Sequence, residues 1–142
     1  MNVHFLKRTA LLAMLGAAEA KGVVNGVAGI CIRKDGADTT SVTWKQIGRI
    51  DRDPRAGETM AQATNYLVGG LAKYGQSVRT MMNSGQQVSD PKRGENNLRG
   101  CLIEKIGSYT VWAFFSGHPD QDEDNVIAGL GMTIVRKVIL EG

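Results

Sequence analysis

Hydrophobic positions recur along this chain with two alternating periods, helical then extended, and the changes of period mark the predicted elements. Phe5, Leu11, Leu12 and Leu15 form a broad apolar stripe, with Lys7, Arg8 and Glu19 on the polar side and Gly22 placed to stop a first helix. Val27 to Ile32 is a short apolar run. Lys34-Asp35-Gly36-Ala37-Asp38 is a turn cluster, and Thr39 to Ile50 resumes as a strand through Val42, Trp44 and Ile47, which together predict a β-hairpin.

The helical period returns after Gly57, where Met60, Ala63, Leu67, Leu71, Tyr74, Val78 and Met81 follow spacings of three or four. Gly69-Gly70 and Gly75 interrupt it, each costing roughly 1 kcal/mol against Ala in a helix interior. These predict a main helix to about residue 74 and a shorter piece after it. Ser84 to Asn97 reads as an exposed loop, with room for a short strand near Val88.

Leu98 to Ile106 and Tyr109 to Phe115 are strand-like runs joined by Gly107-Ser108, a connection suited to a tight hairpin. A last helix is predicted from Pro119 in its first turn. Asp120, Asp122, Glu123 and Asp124 lie where the helix dipole favours negative charge, and Arg136 and Lys137 lie near the other end. Val126, Leu130, Ile134 and Val138 predict its buried face. The order helix, two strands, helix, two or three strands, helix lets helices cover one face of a sheet, a layered α+β domain.

With 142 residues the chain fits one domain, spanning residues 1–142, with a core that needs neither disulfide nor metal. The 17 basic and 14 acidic residues leave a net charge of +3, too mild a bias for a nucleic-acid-binding face. No apolar run approaches the roughly 20 residues that cross a bilayer, so neither nucleic acid nor membrane is an expected partner. Lys7-Arg8, the apolar Thr9 to Ala18 and the Ala18-Glu19-Ala20 triplet imitate a secretory signal. A structural helix is the preferred reading, and with it a cytoplasmic location; secretion follows if the segment is a signal peptide.

Chemistry-bearing residues are few. Cys31 and Cys101 sit inside apolar runs rather than at ligand spacing, as buried thiols do. Asp120-Gln121-Asp122-Glu123-Asp124 offers oxygen ligands, but an EF-hand needs Gly where Asn125 stands and Glu where Gly131 stands. Dipole compensation explains the run better, and no metal is assigned. His4 and His118 are the two histidines, each able in principle to ligate a metal or haem. His118 has the better context, beside Ser116 and Gly117, where helix N–H groups could receive a small anion or carboxylate. No nucleophile, base and orienting group can be named together, so an enzyme is disfavoured. Met60, Met81, Met82 and Met132 read as core or subunit interface.

The stretch Trp112-Ala113-Phe114-Phe115-Ser116-Gly117-His118-Pro119-Asp120-Gln121-Asp122-Glu123 resembles the GlcG and HbpS-like haem-binding family, which includes the C-terminal domain of PduO-type proteins. In that family a strand ends in a Ser-Gly turn and Gln-Asp-Glu opens the last helix; the matching positions are Ser116, Gly117, Gln121, Asp122 and Glu123. Lys21-Gly22, the turn at Lys34-Asp35-Gly36 and Gly100-Cys101-Leu102-Ile103 agree more weakly. The family usually has a second glycine where His118 stands, and a Pro before Ile103 is missing. The resemblance implies a profilin-like α+β fold, a homo-oligomer and a small-molecule ligand, with haem as the implied cofactor and no ligating residue carried over. Ser116, Gly117, His118 and His4 are the candidate ligand-binding residues. The alternative is a structural or protein-interaction module without a ligand, with Tyr66 and Tyr74 at an interface.

Overall fold

A computed structural model of the chain describes residues 1–37, 41–54, 56–57, 65–86 and 98–142. Among them are three helices, α1 (Val3–Ala20), α2 (Tyr66–Thr80) and α3 (Gln121–Glu141), and four strands, β1 (Gly26–Lys34), β2 (Thr43–Ile47), β3 (Cys101–Ile106) and β4 (Tyr109–Ser116). The sheet is antiparallel in the order β2-β1-β4-β3. The α+β class expected from the sequence is observed, in an arrangement consistent with a profilin-like fold.

Strand alternation decides which residues meet which helix. Ala28, Ile30, Val111, Ala113 and Phe115 share a core with Leu6, Ala10, Leu11 and Met14 of α1 and Ile127, Met132 and Val135 of α3. Val27, Cys31, Cys101, Trp112 and Phe114 point the other way, toward Tyr66, Leu67, Tyr74 and Val78 of α2. Helices therefore cover both faces rather than one. Tyr74 meets the Trp112 ring edge-on at 6.0 Å, packing α2 onto this face of the sheet.

The first helix ends as expected, with Lys21 as its C-cap and Gly22 at a φ of 79°. Both hairpins are present, and Ile106 pairs with Tyr109 across Gly107-Ser108. The helix α2 departs from expectation in running unbroken through Gly75 to Thr80. Gly70 is a packing choice, since a Cβ there would come within 2.5 Å of the Phe114 ring, whereas one on Gly75 would meet nothing. Met60, Ala63 and the strand proposed near Val88 lie outside the described residues.

Two further expectations for α3 are corrected. Asp120 is the N-cap, so Pro119 precedes the helix instead of opening it. The buried stripe is Asp124, Ile127, Ala128, Gly131, Met132 and Val135, whereas Val126 and Leu130 are 49% and 44% exposed. Both stripes have helical spacing. The small residues Ala128 and Gly131 decide between them by letting α3 approach closely, a Cβ on Gly131 lying 2.7 Å from Met14 Sδ. Met132 is buried, while Met81 and Met82 are exposed. No described helix is long and apolar enough to cross a membrane.

Candidate functional site

The junction from β4 to α3 holds three of the four candidate residues. Ser116 ends the strand, buried and paired with Val27. Gly117 follows where the chain passes β1 so closely that a Cβ would sit 2.7 Å from Asn25 O and 2.8 Å from Gly26 Cα. Only glycine fits there. The His118 amide donates to Asp124 Oδ1 at 3.0 Å, and His118 Nδ1 accepts from the Asp120 amide at 2.9 Å.

The residues that open α3 reach three different parts of the fold. Gln121 Oε1 accepts from the Arg99 amide at 3.1 Å, and Asp122 Oδ1 accepts from Arg99 Nε at 2.8 Å. Glu123 meets Lys21, at the end of α1, at 2.5 Å. Asp124 Oδ2 accepts from Lys73 Nζ of α2 at 3.0 Å. Burial pushes the Asp124 carboxyl above its ordinary range, against the opposing pull of Lys73 and the His118 amide. The motif thus fastens α1, α2 and the segment before β3 to one helix start.

That architecture bears on ligand binding. Asp120 already caps α3 by accepting from the Asp122 amide at 2.9 Å, and three further carboxylates occupy the first turn. An incoming anion would meet negative charge where a bare helix start would attract it. Among the described residues no three His, Cys, Asp or Glu side chains are grouped to hold a metal ion.

His4 lies elsewhere. Lys21 pairs with Glu123 at one end of the α1–α3 layer, and Leu6 and Val138 line one cavity at the other, so the two helices run antiparallel. His4 is near the start of α1, roughly 25 Å along that helix from the His118 end at 1.5 Å per residue. Beside the α1 start lies a cavity of about 230 Å³, lined by Met1, Asn2, Phe5, Leu6, Thr9, Val138 and Gly142. His4 does not line it. Cys31 and Cys101 are free and buried; burial raises the Cys31 thiol and pushes Cys101 up to about 12.

The sequence reading missed Lys73. Its signal was a lysine on the same helical face as Gly70 and Ser77, where a solvated cation would not be placed.

Two solved structures are similar to the chain. One, described as a crystal structure of HbpS, shares 15% identity over 91% of this chain and 86% of that one, with a TM-score of 0.47. The other, a double mutant of Streptomyces reticuli HbpS, shares 15% identity over 91% and 83% with a TM-score of 0.44. No protein-family model matches the chain, and no curated protein matches it either.

Proposed function

We propose that this protein binds a small, largely apolar ligand and works as a homo-oligomer. The observation that carries the reading is the cavity between the start of α1 and the end of α3, where Met1, Phe5, Leu6 and Val138 supply an apolar lining with Asn2 and Thr9 as polar groups. Such a lining, mostly hydrophobic with few polar atoms, is the usual composition of a ligand pocket. Its 230 Å³ falls below the roughly 300–1,000 Å³ common for such pockets, so a second copy is needed to enclose a larger molecule.

Haem is the ligand to test first, because the Ser116-Gly117 to Gln121-Asp122-Glu123 stretch resembles a haem-binding family. The residues of one protomer do not fit haem: the cavity is small, neither histidine lines it, and His4 and His118 stand at opposite ends of the molecule. The haem reading therefore requires a site completed between copies. Titration of the purified chain with haemin checks it. A saturable Soret shift that is lost when His4 and His118 are both replaced by alanine supports histidine ligation; no saturable shift removes haem.

The module without a ligand keeps one specific support. Gln121, Asp122, Glu123 and Asp124 are all engaged in contacts that hold the fold together, so the motif needs no ligand to account for it.

A further inference from the structure

The α1–α3 layer turns one side to the sheet and leaves the other uncovered by any described element. Phe5 and Leu12 of α1 and Val126, Leu130 and Leu140 of α3 are exposed there, Phe5 and Leu140 by 69% and 66%. Helices of 18 and 21 residues lying side by side present a face of roughly 27 by 20 Å. That footprint, about 540 Å² in projection, is about two thirds of the ~800 Å² that a standard interface buries per partner.

Charge is distributed unequally along this face. Arg8 and Lys137 are exposed where α1 begins and α3 finishes, with Glu141 beyond them. Glu19 and Asp120 are exposed at the opposite end, where α1 finishes and α3 begins. There Lys21 is tied to Glu123 and Arg99 to Asp122. The face thus carries Leu12 and Leu130 at its middle, Phe5 and Leu140 beside the basic residues at one end, and acidic residues at the other.

We infer that this face is the seat of a second copy of the chain, related by a two-fold axis near Leu12 and Leu130 that sets the basic end of each copy on the acidic end of the other. The inference rests on the homo-oligomer reading above and deepens it by naming the surface and its polarity. A two-fold contact must be self-complementary, and the observed charge gradient satisfies that only when the copies run antiparallel. Seated parallel, Arg8 and Lys137 would face their own counterparts, which like-charge repulsion opposes. The antiparallel seating also covers the apolar residues and carries the His118 end of one copy toward the cavity and His4 of the other.

Sedimentation velocity over a concentration series, with far-UV circular dichroism to confirm folding, tests the assignment on the full chain. The wild type is expected to self-associate. Leu130→Asp should reduce the mass to one chain, and Arg8→Glu should weaken association at least about tenfold. Arg8→Glu combined with Glu19→Arg should restore most of it, since the swap rebuilds the pairing with reversed signs. Leu130 and Arg8 are exposed, so their variants keep the core intact. A double variant no tighter than Arg8→Glu alone overturns the antiparallel seating. An oligomer indifferent to Leu130→Asp overturns the face while leaving oligomerisation standing, and a monomeric wild type removes both. Haemin titration reads ligand binding separately, so a failure of the haem reading is not mistaken for a failure of this interface.

Discussion

Lys73 Nζ donates to Asp124 Oδ2 at 3.0 Å, with the two side chains 4% and 3% exposed. The ammonium also donates to Phe115 O at 3.1 Å. Gly100 makes room for it, because a Cβ there would lie 2.7 Å from Nζ. The ion pair joins α2 and α3, which cover opposite faces of the sheet, past the end of β4. Buried ions cost much to desolvate and become strongly destabilising when one partner is removed.

Lys73→Met should therefore lower unfolding stability by about 3–5 kcal/mol, since Asp124 would be left as a buried charge without its cation. Lys73→Met with Asp124→Leu should recover a large part of that loss. Urea unfolding followed by tryptophan fluorescence measures both. A double variant as unstable as the single one would show that the pair is not the unit of stability.

The Phe114 ring lies between two glycines, one from each neighbouring element. A Cβ on Gly29 of β1 would approach it to 2.0 Å, and one on Gly70 of α2 to 2.5 Å. Gly70→Ala should cost about 1–3 kcal/mol by overpacking. Gly75→Ala should stabilise by up to about 1 kcal/mol, because the position is helical, faces open space and gains only helix propensity. Thermal unfolding of the two variants is expected to shift in opposite directions, and equal shifts would refute the packing account.

The two glycines in one helix show where sequence reading stops. Gly70 and Gly75 have the same intrinsic helix penalty, and of the expected apolar stripe Leu67, Tyr74 and Val78 face the sheet while Leu71 and Met81 are exposed. What the sequence did not show is which glycine carries an aromatic ring against it, a contact set by Phe114 of β4, 44 residues after Gly70. For the same reason α3 was legible as a helix and not in its orientation. Val126, Leu130 and Val138 match a helical stripe as well as Ile127, Gly131 and Val135 do, and only the close approach of Met14 selects the second. Hairpins read well because their turn chemistry is local.

The candidate site was legible in part. Ser116, Gly117 and His118 are brought together because they are consecutive and turn a strand into a helix. Dipole compensation accounts for their acidic neighbours locally, yet Asp122, Glu123 and Asp124 also reach partners far along the chain, in Arg99, Lys21 and Lys73. Long-range pairs of this kind have no local signature. His4, by contrast, could not have been separated from the site without knowing that α1 and α3 run antiparallel.

Cys31 and Cys101 give a prediction that depends on burial. Both face the layer beneath α2, and burial raises both thiols above the ordinary 9.0, that of Cys101 to about 12. The thiolate is the reactive form, so a rise of three pKa units lowers the reactive fraction of Cys101 roughly a thousandfold near neutrality. A disulfide reagent such as dithionitrobenzoate should label the native chain slowly and release two thiol equivalents only after unfolding, since the chain has two cysteines. The same shift sets a pH dependence. Because the folded value is raised, the stabilising contribution is complete below pH 9, where the unfolded thiol is also protonated, and is lost as pH rises toward about 12. Stability should decline across that window by at most about 1.4 kcal/mol per pH unit from this group. Cys101→Ala should show a shallower decline than the wild type in alkaline urea titrations. Rapid labelling of both thiols in the native state, or parallel declines in the two proteins, would contradict the buried placement of Cys101.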